Sequence, residues 1–448
     1  MADAFLVMFC LKQMSPIRNG KAFCNNRQTT IRITTMTRRD WLGAGIAAPA
    51  LLAKGAPQPQ ASSAHPTKTA AIVTVYHHYS HADVLVGRLL SGYSPNATWE
   101  PSNTHIVSLH AAQVPASTDM SRDLAARNGF RIYPSIREAL TLGGNSLAVD
   151  AVVFVGEHGD YPTNDLGQQL YPRFELFSQI LDVYEQSGRS VPTFFDKHFS
   201  YSWEKADAIY RRAKKIGFPF MAGSSIPLTI RKPALEPSLE TPITEAVALG
   251  YGDPDAYGFH TLEGLQCIVE RRKGGETGIK SVRWVEGGEA IQAWRNSPEG
   301  AWSNPLFKPL LDDAQRLAGL PPSWLSEEHS KKPVLFVLNY RDGLKAAVMV
   351  LTQNVGWSTA IRVKGEEKPL TVAYVVPVER PLPNWDGMAR CVDRFLATGQ
   401  APNPVERTLL TTGALAFCFE SKRTGKIVET PQLQVSYRGP AQGWFQTA

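Results

Sequence analysis

From Thr69 to Ala222 short apolar runs alternate with amphipathic stretches, and few folds satisfy that alternation. Ala70–Tyr76 (AAIVTVY), His105–Leu109, Ala151–Val155 (AVVFV), Val191–Phe195 and Phe218–Ala222 read as strands. The first and third are uninterrupted and rich in β-branched residues, as expected of strands covered on both faces. Between them, Ala82–Leu90, Asp119–Asn128, Phe174–Gln186 and Trp203–Ile216 read as helices. Gly129, Gly188 and Gly217 supply stops, and Ser202 supplies a cap with Glu204 in the first turn. Strand–helix repetition over some 150 residues predicts a parallel, doubly wound α/β sheet for residues 65–225.

The texture changes after Ser225. Pro227, Pro233, Pro237 and Pro242 interrupt the chain, and a helix is expected over Thr261–Arg272. Val334–Leu338 and Leu344–Leu351 flank Asp342-Gly343, a strong hairpin signal. Ala360–Val363 and Leu370–Val376 extend that sheet, and helices near Met388–Ala397 and Glu406–Lys422 are expected to close it. Residues 226–433 therefore read as a second, α+β domain with a mostly antiparallel open sheet, followed by a tail at 434–448. At 448 residues the chain is long enough for two such domains.

The net charge of +6 is local. Residues 1–55 hold eight of the 47 basic residues and two of the 41 acidic ones, which leaves 39 of each sign elsewhere. A neutral body offers no electrostatic case for nucleic-acid binding. No apolar run approaches the roughly 20 residues that span a bilayer, so stable membrane insertion is not expected. Thr37-Arg38-Arg39-Asp40-Trp41-Leu42, followed by the apolar stretch 43–53, resembles a twin-arginine export signal. Residues 36–64 are expected to be signal and linker, with translation starting at Met36, residues 1–35 a start-site artefact, and the product periplasmic or extracellular. Cys267, Cys391 and Cys418 match no zinc or redox spacing and are expected to be inert and buried.

In an open parallel sheet, ligands bind beyond the carboxyl ends of the strands. Those ends carry His77-His78-Tyr79-Ser80-His81, Gly156-Glu157-His158-Gly159-Asp160, Asp196-Lys197-His198 and Gly223-Ser224-Ser225. Four polar clusters on one edge predict a cleft. His77 and His81 share a helical spacing, but without a fixed carboxylate partner no metal is expected.

These residues carry a family resemblance. Asp196-Lys197-His198 follows the strand that ends in Glu-Lys-Pro in the glucose–fructose oxidoreductase / inositol dehydrogenase (Gfo/Idh/MocA) family, and Tyr257-Gly258-Phe259-His260 resembles its Gly-x-His segment. The hairpin at Asp342-Gly343 and the helix opened by Pro404-Val405-Glu406 match in order. The resemblance covers roughly 68–433 and implies a Rossmann-like first domain and a sugar or polyol oxidoreductase using NAD or NADP. It also implies a carbohydrate-like substrate and a homo-oligomer formed through the C-terminal sheet. Carried over, Lys197 would meet substrate and nicotinamide, and His260 would be the acid/base. Asp196, His158 and Asp160 are further catalytic candidates. His77, His78, Tyr79, Gly156, Glu157 and Lys197 would line the cofactor. Hydride leaves a carbinol only as its hydroxyl proton is taken up, which suits an imidazole beside an ammonium.

The chain departs from the family where nucleotide is held. No glycine lies between Gly55 and Gly87, and the second strand ends in Leu109-His110-Ala111-Ala112 without an acidic residue. Ala256 stands four residues before His260, where the family has Asp, with Asp255 adjacent. Three readings follow: an oxidoreductase with an unusually bound nicotinamide, a non-redox hydrolase or lyase on the same scaffold, and a non-catalytic carbohydrate-binding protein. Lys197 is expected in a solvent cleft, contributing little packing. N-terminal mass spectrometry of the precursor checks the leader: the expected first residue is Met36, and a precursor beginning at Met1 rejects the artefact.

Overall fold

The computed structural model describes residues 66–329, 331–377 and 382–446. The start site, the twin-arginine segment and the whole of the expected linker to residue 64 lie outside them.

The first sheet has six parallel strands: β1 (Thr67–Val73), β2 (Thr104–Ala111), β3 (Arg131–Ile132), β4 (Ala151–Val155), β5 (Thr193–Asp196) and β6 (Phe220–Gly223), in the order β3-β2-β1-β4-β5-β6. Strand order reverses between β1 and β4, which creates the crevice at their carboxyl ends. Alternate residues explain the uninterrupted apolar runs. Ala70, Ile72, Val152, Phe154 and Phe195 face one core, under α3 (Ile136–Thr141), α4 (Arg173–Ser187) and α5 (Trp203–Ile216). Ala71, Val73, Val153, Val155 and Phe194 face the other. That second face is covered by the π-turn Ala82–Val86 running into α1 (Gly87–Ser91), with α2 (Ser121–Asn128) beside it.

The second sheet has eight strands: β7 (Ile230–Lys232), β8 (Ile243–Tyr251), β9 (Ile279–Glu286), β10 (Val334–Tyr340), β11 (Lys345–Leu351), β12 (Trp357–Val363), β13 (Leu370–Val375) and β14 (Val428–Glu429). Their order is β14-β9-β10-β11-β8-β12-β13-β7, and every pairing except β8 with β11 is antiparallel. The Asp342-Gly343 turn joins β10 to β11 as expected.

Three expectations change. The helix placed at Thr261–Arg272 is α6 (Ala256–Val269). The Asp253 carboxylate accepts from the Asp255 and Ala256 amides and starts it earlier, so His260 lies inside the helix rather than before it. The second sheet is open as expected, with β14 and β7 as its edges, and helices lie on both of its faces. α6 and α11 (Glu406–Thr424) cover one face, and α7 (Gly288–Asn296), α8 (Asn304–Leu317) and α9 (Trp324–His329) cover the other, where Phe307, Leu310 and Trp324 pack on Leu249, Leu335 and Met349. The helix near 388–397 is α10 (Asn384–Thr398), and it packs on the first sheet instead of closing the second, with Met388, Val392 and Phe395 against Val153 and Phe194. Residues 434–446 do not project as a tail. The Arg271 guanidinium donates to the Pro440 and Ala441 carbonyls, and Arg394 lies over the Trp444 ring. None of the described helices is long and apolar enough to cross a membrane.

The seat of α6 on β8 depends on Gly250. A Cβ there would lie 2.1 Å from Thr261 Oγ1 and 3.0 Å from the Trp357 ring. Gly250→Ala should therefore destabilise the protein by about 1–3 kcal/mol, a fall of several degrees in thermal midpoint. Adding Thr261→Ala should recover part of that loss, and a double-mutant cycle by calorimetry measures it.

Candidate functional site

Lys197 leaves β5 in the left-handed region (φ 72°), where its amide donates to Gly223 O at 3.2 Å. This turn sends its side chain inward. Lys197 is only 3% exposed, so it is not the cleft lysine expected from sequence. Its Nζ donates to His260 Nε2 at 2.6 Å and lies 3.7 Å from Glu157 Oε1. Because Nε2 accepts, His260 carries its proton on Nδ1 and donates it to Ser224 Oγ at 2.5 Å. Ser224 Oγ in turn accepts from the Ile226 amide.

Glu157 also pairs with the buried Arg173, whose Nη1 donates to His198 Nε2 at 2.9 Å and whose Nε donates to Gly156 O at 2.9 Å. Burial alone would raise the Glu157 pKa, but Lys197 and Arg173 hold it well below the usual carboxylate range. Burial, reinforced by Lys197, keeps His260 well below the ordinary histidine value. Burial with Arg173 does the same to His198, and burial with His81 brings His158 down to about 3. Asp255, at the start of α6, is pushed up to about 7 by burial. Its Oδ2 accepts from the Gln169 amide, and its Oδ1 is unpartnered.

The expected site residues divide into groups. Lys197, His260 and Glu157 come together. Asp196 is buried beside them in sequence, but it holds His81 instead, at 2.6 Å. His158 and His77 lie near His81, with His158–His81 and His158–His77 ring centroids 5.1 and 5.6 Å apart. His78 is exposed and pairs with Asp83, and its ring rests on that of Tyr79. Asp160 sits on the exposed rim and takes part through its backbone, which pairs with the Gln113 amide group. Gly156 serves packing rather than a cofactor, since a Cβ there would lie 2.7 Å from Arg173 Cγ and 2.9 Å from the Phe154 ring. Arg173 was missed by sequence reasoning. A cation in the first turn of a helix opposes the helix dipole, and that was the available signal.

The turn after β1 tests whether a nicotinamide dinucleotide fits. Its phosphates need free turn amides and a helix start without negative charge. Here the His77 amide donates to Ser80 Oγ, the Ser80 amide to His77 O, the Tyr79 amide to Asp83 Oδ2, and the Asp83 amide back to Ser80 Oγ. The Asp83 carboxylate occupies the first turn, and a Cβ at Gly87 would lie 3.6 Å from both Asp83 Oδ1 and the hydroxyl of the buried Tyr76. These residues do not fit a dinucleotide held in the manner of the family.

No family model matches the chain, and no curated protein matches it. Among solved structures it is similar to GenD2 from gentamicin A biosynthesis, in complex with NAD. That likeness has a TM-score of 0.52 at 13% identity and covers 84% of this chain and 99% of that one. It is also similar to apo scyllo-inositol dehydrogenase from Lactobacillus casei, with a TM-score of 0.48 at 12% identity, covering 82% of this chain and 98% of that one. The first likeness carries the fold: a Rossmann-like parallel sheet joined to a mostly antiparallel one.

The three depressed histidines set a pH dependence. Below about pH 6.5 the unfolded chain takes up protons on His158, His198 and His260 that the folded chain excludes, so stability falls with pH. Asp255 acts in the opposite sense, because between about pH 4 and 7 the fold binds a proton that the unfolded chain releases. His110, lowered by burial, acts with the three histidines, and Glu263, raised by burial, acts with Asp255. Four histidines oppose two carboxyls, so the thermal midpoint should be lower at pH 5 than at pH 7, and His198→Gln should make that fall shallower.

Proposed function

We propose that this chain is an enzyme acting on a hydroxyl of a sugar, polyol or related carbohydrate, with Lys197 and His260 as its proton-handling pair. Oxidoreduction is the chemistry that its architecture suggests. The Lys197 Nζ–His260 Nε2 contact carries the reading: an ammonium and an imidazole meet at 2.6 Å, with Glu157 beside them and the partly exposed Tyr257 ring 6.0 Å from His260. A ligand hydroxyl entering there takes over the Lys197 hydrogen bond, which stabilises negative charge developing on its oxygen. His260 Nε2, freed from Lys197, accepts the hydroxyl proton, while Ser224 keeps Nδ1–H in place. His260 is neutral at physiological pH and so ready to accept. A proton is costly for it to keep, which favours handing the proton on.

The occupied β1 turn favours a second reading, a non-redox hydrolase or lyase using the same pair. NAD or NADP would have to bind otherwise than along that turn. The test incubates purified protein with a panel of hexoses and cyclitols, with and without NAD or NADP, following absorbance of the reduced nicotinamide and the carbon NMR spectrum of the sugar. Lys197→Met and His260→Gln should each lower kcat at least 100-fold. Nicotinamide reduction supports the first reading, and sugar conversion without nucleotide supports the second. Full activity in Lys197→Met rejects both.

A further inference from the structure

We infer that His81, oriented by Asp196, is a second acid–base group of this cleft, standing on the turn where a dinucleotide would need its phosphates bound. The inference rests on the proposal that the ligand occupies the cleft.

Asp196 is the last residue of β5 and is 1% exposed. A carboxylate so deeply buried needs a donor, and the His81 ring, reaching across from the β1 turn, supplies Nδ1–H at 2.6 Å. That bond fixes the tautomer and leaves Nε2 as a lone pair. Among the described residues Nε2 has no hydrogen-bond partner, although the His81 side chain is only partly exposed. The Trp385 ring, 4.5 Å away edge to face, and the His158 ring hold the imidazole in place. A donor required only to satisfy Asp196 could be an amide or a hydroxyl. An imidazole held by one nitrogen, with the other open, is the arrangement that activates a base.

Chain order adds to this. Asp196 and Lys197 are neighbours at one strand end, and each holds a different histidine: Asp196 holds His81 of the β1 turn, and Lys197 holds His260 of α6. One rigid strand terminus thus carries two proton-handling centres. The chemistry is proton transfer alone. His81 Nε2 forms a bond to a ligand proton, the O–H or C–H pair stays on the ligand, the Lys197 ammonium gives one proton back to the ligand, and proton exchange from His81 to Lys197 through solvent restores the starting enzyme. Protons balance, and no oxidant is consumed.

Two measurements on the full chain test this. The first needs no substrate: carbethoxylation of His81 by diethyl pyrocarbonate, followed by peptide mass spectrometry, should be at least tenfold slower in Asp196→Asn than in wild type, with Asp196→Glu intermediate. Equal rates overturn the inference whatever becomes of the Lys197–His260 reading. The second uses any hexose or cyclitol that the wild type converts. His81→Gln should lower kcat at least 30-fold and change KM less than threefold, and 50 mM imidazole should restore part of the activity of His81→Gly. A purely structural His81 would lower the thermal midpoint and leave kcat unchanged, which also overturns the inference.

Discussion

The buried guanidinium of Arg173 organises the centre of this protein. It is fully enclosed at the start of α4, and it holds Glu157, His198 and the Gly156 carbonyl at once. A buried charge is tolerated only when its partners are in place, and removing one member of such a group typically costs about 3–5 kcal/mol. Glu157 cannot leave Arg173, and so it stands beside Lys197. Lys197 in turn fixes His260. A constraint that begins as ion-pair satisfaction in the first sheet ends by setting the orientation of an imidazole on a helix of the second lobe.

Backbone conformation serves the same end. Lys197, His158 and Tyr79 are non-glycine residues with positive φ, and all three stand at carboxyl ends of β5, β4 and β1. Each such residue costs on the order of 1 kcal/mol and persists where the surroundings over-determine it. At Lys197 the pairing with Gly223 supplies that surplus. Gly223 is itself constrained, because a Cβ there would lie 2.7 Å from both Glu263 Oε2 and Thr408 Oγ1.

The two lobes share elements. α10 follows the second sheet in sequence yet covers the first, and Asp393 on it accepts from the Tyr93 and Thr104 hydroxyls. The terminal stretch passes from α6, where Tyr437 donates to Glu270, to α10 at Trp444. The cleft is therefore held by chain crossing it in both directions. The helices α7 to α9 turn the far face of the second sheet into a core of its own.

Much of the architecture was legible in local pattern. Continuous apolar runs specify strands covered on both faces, glycine stops and the Ser202 cap bound helices, and Asp342-Gly343 marks a hairpin. These depend on neighbours within a few residues, so the sequence carries them directly. Clustering of polar residues at four strand ends also pointed to the crevice and included Lys197, whereas His260 was named from the resemblance of Tyr257-Gly258-Phe259-His260 to a family segment. Tertiary structure decided the rest. The pairing of Asp196 with His81, separated by 115 residues, follows from strand order. The burial of Lys197 follows from its backbone turn against β6. The closure of the β1 turn by Asp83 and Ser80, the role of Arg173 and the placement of α10 on the first sheet likewise depend on which surfaces meet. Periodicity records which face of an element is apolar, but it does not record what that face will touch.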